Sequence, residues 1–432
     1  MTEPTLDNPH PFRVRNFRYY WVSRLAMTLA QYAMLLIIGW QTYNIARDGG
    51  MSIAEASGQL ALIGLLQFLP LFVLTPFSGL AADRFDRRSL ALLTVFAQLL
   101  CAATLGWATW TGAIGLPVLY AIAIVLGIAR GFAGPALSAL APNLVPKPIL
   151  PTAIALSSIA WQVGMIGGPA LGGYLYAIGP ALPYGVAGGL FVVSLIALSL
   201  IGKVPQPAAR TDQRPIGAII DGLRYVLRNK MVLGAITLDL FAVFLAGATA
   251  LFPVYARDIL MVGETGLSQL AMAPAIGAAI TAAWFSFRPI KSNVGPKMLW
   301  AVGIFGIATI IFGLSTSMPL SLAMLFILGA ADMFSVYIRQ SLILLHTPDD
   351  KRGRVSSVSL LTISASNEGG DFFSGSLAFL IGPVAAVVAG GVGAVLTVLL
   401  WSGLFPVLRT TKSFDPPEDL LEGEQTEHPQ EA

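Results

Sequence analysis

Gly79-Leu80-Ala81-Ala82-Asp83-Arg84-Phe85-Asp86-Arg87-Arg88 stands between two long apolar runs, residues 60–80 and 89–107. Asp83, Arg84, Asp86, Arg87 and Arg88 put five charges into six residues. Two apolar runs of bilayer length joined by so short a link predict a helical hairpin with its tip at a membrane surface. Charge of that density is too costly to bury in lipid, so the tip lies in water. Three arginines at the tip place it on the cytoplasmic side, which sets the orientation of the spans on either side.

The whole chain agrees with this local reading. It has 432 residues, 55% apolar and only 11% charged, with a mean hydropathy of +0.73. Soluble domains carry about 25% charged residues. So much apolar surface suits lipid, where helices satisfy their own backbone groups. A membrane barrel alternates apolar and polar residues, whereas these runs are continuous. The expected class is an all-α membrane protein with twelve transmembrane helices in two pseudo-symmetric six-helix bundles.

Other classes lack their residues. The net charge of +3 comes from basic residues in loops, which is no nucleic-acid footprint. The lone Cys101 excludes an intrachain disulfide. His10, His346 and His428 are scattered, so no metal site is legible. Without a nucleotide loop or a nucleophile–base pair, an enzyme is not expected, and neither is a cofactor. The start, Met1-Thr2-Glu3-Pro4, lacks the basic and apolar regions of a signal peptide.

In order, residues 1–16 read as a cytoplasmic lead and 17–202 as an N-terminal six-helix bundle. Its spans fall at 17–43, 58–80, 89–107, 117–140, 151–178 and 184–201. Residues 203–230 are a polar linker whose second part has apolar residues at helical spacing, as expected of an amphipathic helix on the inner surface. The C-terminal bundle, 231–410, has spans at 231–255, 267–287, 298–314, 320–345, 355–381 and 384–408. Residues 411–432 form an acidic, Pro-rich tail expected to be disordered. Of the 26 Lys and Arg, only Arg47 and Arg257 fall outside in this topology, and Arg24, Arg130 and Arg339 fall within spans. The remainder are cytoplasmic, with both termini, as the positive-inside rule requires.

The two halves are weakly alike. A constant offset carries Arg130 onto Asp332, Gly167-Gly168 onto Gly369-Gly370 and Gly173 onto Gly375. Ala46-Arg47-Asp48 and Ala256-Arg257-Asp258 match at the exits of the first and seventh spans. Repeated halves are the architecture of alternating-access transporters, with a substrate site at their interface near the midplane. Arg130 and Asp332, equivalent in position and opposite in charge, are expected at similar depth on one central cavity.

The spacing G-x-x-x-D-R-x-x-R-R, from Gly79 to Arg88, resembles the signature loop of the major facilitator superfamily of secondary transporters. Leu126-x-x-x-Arg130-x-x-x-Gly134 resembles a motif of its drug–proton antiporters, with Ala133 where the family has Gln. Gly164-x-x-x-Gly168-Pro169-x-x-Gly172-Gly173 resembles the antiporter motif, with Ala155 where the family has an upstream Gly. Residues 238–260, the run Thr347-Pro348-Asp349-Asp350-Lys351-Arg352-Gly353-Arg354-Val355-Ser356, and Ser366-Asn367-Glu368-Gly369-Gly370 resemble the bacterial branch that includes the enterobactin exporters. That resemblance covers roughly residues 12–410 and implies export of siderophores or amphiphilic drugs from the bacterial inner membrane. It also implies that Gly79, Asp83, Arg84, Arg87 and Arg88 form a conformational latch, with Asp83 meeting the start of the eleventh span near Val355.

Ionisable groups inside spans are functional candidates by their cost alone. Asp239, Asp332, Glu368 and Asp371 are candidate proton carriers, Asp239 and Asp332 foremost, with Arg130 tuning a nearby carboxylate. Glu368 and Asp371, one turn apart, form a possible coupled pair. Structural pairing of these acids with Arg24, Arg130 or Arg339 is the competing reading. Arg24, Gln31, Arg130, Asp239, Asp332 and Arg339 are the expected cavity residues. The expected partners are a small-molecule substrate, protons and membrane lipid, with the chain acting as a monomer. The leading expectation is thus a proton-coupled exporter; an importer of a ferric siderophore or other nutrient, and a non-transporting sensor or scaffold, are the alternatives.

Overall fold

The structure, a computed structural model, describes residues 10–202, 215–288, 290, 292–348 and 351–414. Among these residues helices form and strands do not. The first half contains α1 (Arg15–Asp48), α2 (Ile53–Arg84), α3 (Arg87–Trp110), α4 (Leu116–Leu140), α5 (Leu150–Ile178) and α6 (Leu182–Leu200). A surface-type helix, α7 (Pro215–Arg228), precedes α8 (Lys230–Leu245) and the short α9 (Phe252–Val254). Then come α10 (Gly263–Phe287), α11 (Val294–Leu314), α12 (Met318–Leu345), α13 (Arg352–Ile381), α14 (Pro383–Leu404) and the short α15 (Pro406–Thr410).

Local chemistry sets the ends of these helices. Ser52 and Glu55 form a capping box at the start of α2: the Glu55 N–H donates to Ser52 Oγ at 3.2 Å and the Ser52 N–H to Glu55 Oε2 at 2.8 Å. In the charged hairpin, α2 runs on to Arg84 and only Phe85 and Asp86 separate it from α3. Asp86 accepts from the Ser89 N–H at 2.8 Å and caps α3. At Gly382 (φ 86°) the chain takes a left-handed turn that favours glycine, and Pro383 starts α14 at once.

Among the described residues, eleven helical stretches are long and apolar enough to cross a membrane, making the chain a multi-pass membrane protein. The twelfth expected span, 355–381, is the 30-residue helix α13, long enough to cross but less apolar than the others. Its serines, Asn367, Glu368 and Asp371 lower its hydropathy. The seventh expected span, 231–255, is not one continuous helix. α8 stops at Leu245, Ala248–Leu251 forms a 3-10 turn, and Tyr255–Ile259 is a π-helical turn.

The chain divides into two compact units. One comprises Met1–Asp212 with Phe252–Met272, the other Gln213–Leu251 with Ala273–Ala432. In the first, α1 packs against α5 and α6, and α2 against α4. Its core includes Tyr20, Met34, Ile37, Ile38, Leu105 and Phe191. In the second, α11 packs on α12 and α14, and α8 on α13 and α14.

Candidate functional site

The break after α8 organises the second unit. A Cβ on Gly247 would meet the Gly370 carbonyl oxygen at 2.8 Å, so backbone approaches backbone where the helix ends. A Cβ on Gly370 would in turn meet the Val243 and Phe244 carbonyl oxygens of α8 at 3.1 Å. The approach brings the 3-10 turn beside α13, and Thr249 Oγ1 donates to Asp371 Oδ1 at 2.9 Å. Two turns before the break, Asp239 on α8 forms an ion pair with Arg339 on α12. Both side chains are buried, 9% exposed for Asp239 and 3% for Arg339. Trp401 Nε1 donates to Thr237 Oγ1 at 2.9 Å, tying α14 to the same stretch of α8.

A buried carboxylate and guanidinium each lose hydration, and their attraction offsets that loss only while both remain charged. Protonating Asp239 leaves Arg339 uncompensated. The pair therefore ties the packing of α8 against α12 to the charge on both side chains. Asp332 lies two turns before Arg339 on the same side of α12 and is half-buried. Glu368 and Asp371 lie one turn apart on α13, both half-buried, with Asp371 held by Thr249.

The first unit holds the other candidates. Arg130 on α4 donates through Nη1 to Gln67 Oε1 on α2 at 3.4 Å. Arg24 and Gln31 are half-buried on α1, and Arg24 Nε is buried with no hydrogen-bond partner among the described residues. Gly164, Gly168 and Gly172 are the contact face of α5 on α1. A Cβ there would meet Thr28 Cβ at 2.6 Å, Tyr32 Cβ at 2.6 Å and the Ala33 carbonyl at 2.9 Å. Glycines at four-residue spacing let two helices approach this closely. Pro169 lies inside α5 without ending it. Gly173 faces a different neighbour, the Glu264 carbonyl and Ser268 of α10.

In the charged hairpin, Arg88 donates to the last carbonyls of α6: Nε to Leu198 at 2.9 Å, and Nη2 to Ser199. A guanidinium at a helix C-terminus satisfies its orphan carbonyls and its dipole together. Arg87 is half-buried at the start of α3. Gly79, Asp83 and Arg84 lie in α2, and their side chains are outside the described residues.

One cluster in the first unit was not a candidate in the sequence reading. Arg47, at the end of α1, chelates Asp258 of the π-helical turn, Nη2 to Oδ1 at 3.1 Å and Nε to Oδ2 at 3.3 Å. Tyr43 donates to the same carboxylate. Arg257 reaches back to Asp48 at 2.6 Å and to Asn44 Oδ1 at 2.6 Å. The Arg-Asp dipeptides that betrayed the internal repeat thus pair crosswise, each arginine with the other's aspartate. The repeat was the signal; matching it for opposite charge would have found the contact.

Comparison with known proteins agrees with this architecture. The chain is 27% identical over 420 residues to the enterobactin exporter EntS of Citrobacter koseri, covering 93% of this chain and 99% of that one. It is 27% identical over 400 residues to EntS of Shigella dysenteriae, covering 91% of each. Among solved structures, a bacterial homologue of the human lysosomal transporter Spinster, inward-facing and occupied, superposes with a TM-score of 0.69 at 16% identity over 94% of this chain and all of that one. The xylose transporter XylE of E. coli, inward open, gives 0.67 at 14% identity over 95% of this chain and 99% of that one. Residues 20–367 match the family model of the Major Facilitator Superfamily, and this chain belongs to that family.

Proposed function

We propose that this protein is a secondary exporter that drives a siderophore or a similar amphiphilic molecule out of the cell against an inward flow of protons. Its likeness to enterobactin exporters along nearly the full length of both chains supports export, and the absence of a nucleotide loop leaves an ion gradient as the energy source. The observation that carries proton coupling is the buried Asp239–Arg339 pair beside the interrupted end of α8. Interrupted helices near the midplane are where transporters of this architecture hold substrate and coupling ions.

In this reading Asp239 takes up a proton from the outer side, and Arg339, released, engages the substrate or another acid such as Asp332. Deprotonation toward the cytoplasm restores the pair. Glu368 and Asp371 form the acidic face beside the break, and Arg24, Gln31 and Arg130 are the polar groups that the first unit offers to cargo. The Gly79–Arg88 hairpin acts as a conformational latch. The chain works as a monomer in the bacterial inner membrane with both termini in the cytoplasm, the arrangement that the loop arginines favour.

The test is transport by the full-length protein reconstituted in vesicles, with an imposed pH gradient and a catecholate siderophore as cargo. Wild type is expected to accumulate cargo only with the gradient. Asp239→Asn is expected to lose gradient-driven accumulation while still exchanging cargo at equilibrium. Full gradient-driven accumulation by Asp239→Asn would refute the role of that carboxylate.

A further inference from the structure

The second unit carries a cavity of about 1020 Å³ at one end, where α7, the start of α8, the start of α13 and the segment after α15 converge. Arg224, Arg228, Lys230, Lys351, Arg354 and Lys412 all line it. Against these six cations stands a single lining carboxylate, Asp221, which lies 3.6 Å from Arg354. Arg224, Arg228, Lys230 and Lys412 have no acidic partner among the described residues. Asp349 and Asp350, adjacent to Lys351 in sequence, lie outside those residues.

The cavity is built and does not merely collect surface charge. Gly222 sits so tightly on α13 that a Cβ there would meet the Arg354 carbonyl oxygen at 2.6 Å. Tyr225 donates to the His346 carbonyl at 2.8 Å, and the Lys351 ammonium lies 5.4 Å above the Tyr225 ring. Asn229 donates to the Tyr225 hydroxyl at 3.3 Å and caps α8, accepting from the Met231 and Val232 N–H groups. His346 is itself buried, and burial holds its imidazole below the usual histidine pKa. It is therefore neutral at pH 7 and adds nothing to the positive count.

The outer face of α7 indicates which anion. Ile220, Leu223 and Leu227 are exposed and fall on one stripe at helical spacing, while Val226 is buried beneath. A water-facing helix has no use for such a stripe, whereas a helix lying in the membrane interface buries it among acyl chains. Basic cavities between membrane helices on the cytoplasmic side suit lipid phosphates, and arginines favour phosphate through paired N–H donors.

We infer that this cavity binds the phosphate of an anionic phospholipid, with the acyl chains lying along the exposed stripe of α7. The site is separate from the proposed transport residues and does not depend on that reading.

The experiment is lipid binding by the purified full-length protein in neutral detergent, followed by the thermal midpoint and by native mass spectrometry. Dioleoyl-phosphatidylglycerol is compared with dioleoyl-phosphatidylcholine and with soluble sn-glycerol 3-phosphate. Phosphatidylglycerol is expected to raise the midpoint and to bind at least tenfold more tightly than phosphatidylcholine, with glycerol phosphate without effect at the same concentration. The double substitution Arg228→Gln with Lys230→Gln, both exposed side chains, is expected to weaken phosphatidylglycerol binding about tenfold or more. Arg409→Gln, an exposed cation outside the cavity, is expected to leave it unchanged. Equal binding of the two lipids, or an unchanged affinity in the double variant, would overturn the site. An equal effect of glycerol phosphate would overturn the lipid assignment.

Discussion

Two ion-pair sites in this protein use the same chemistry in opposite settings. The crossed pairs Arg47–Asp258 and Arg257–Asp48 are partly open to water, with side chains 26% and 15% exposed in the first pair and 28% and 69% in the second. Asp239 and Arg339 are nearly sealed. Near water, an ion pair gains little over the hydration it gives up, and it breaks and reforms readily. Inside the protein, the pair is stable only as a pair, because a single buried charge is far more costly than two. The first arrangement tolerates the loss of a partner, and the second does not.

Substitutions that separate these settings rank by burial. Arg339→Gln strands Asp239 and is expected to lower stability by about 3–5 kcal/mol, read by denaturation in mixed micelles. The double substitution Asp239→Asn with Arg339→Gln removes both charges. It is expected to recover most of that loss while remaining unable to use a pH gradient. If the double variant is as unstable as the single one, packing and not charge compensation dominates the site.

Asp258→Asn takes a carboxylate from both Arg47 and Tyr43 and is expected to cost about 2 kcal/mol. Exchanging the charges, Arg47→Asp with Asp258→Arg, tests whether attraction or shape matters there. Partial recovery of stability relative to Asp258→Asn is expected. Asp48→Asn, at the most exposed of the four side chains, is expected to change stability by less than about 1 kcal/mol. Salt sharpens the contrast: between 0.1 M and 1 M the screening length falls from about 10 Å to about 3 Å. The destabilisation caused by Asp258→Asn is expected to shrink over that range, and that caused by Arg339→Gln to stay constant.

The same contrast explains what could be read in advance. Arg24, Arg130, Asp239, Asp332 and Arg339 stand out because each is a charge within an apolar stretch, and lipid makes such residues conspicuous. Which of them meet is a different matter. Asp239 and Arg339 are a hundred residues apart, and nothing in their flanking sequences selects that pairing over Asp239 with Arg24 or Arg130. The interruption after α8 was also missed, because 231–255 is a long apolar run apart from Asp239 and hydropathy does not register a broken hydrogen-bond ladder. It rests on Gly247 meeting the Gly370 backbone, a contact made across the fold.

The glycines of α5 lie between these cases. Their four-residue spacing predicts a close helix contact, but only packing assigns Gly164, Gly168 and Gly172 to α1 and Gly173 to α10. Sequence alone determined the class, the succession of long helices and the positions of the charges within them, since all follow from the local cost of placing each residue in lipid. Tertiary structure decided the partners of those charges and where a helix had to stop, since both depend on which backbones approach within a few ångströms.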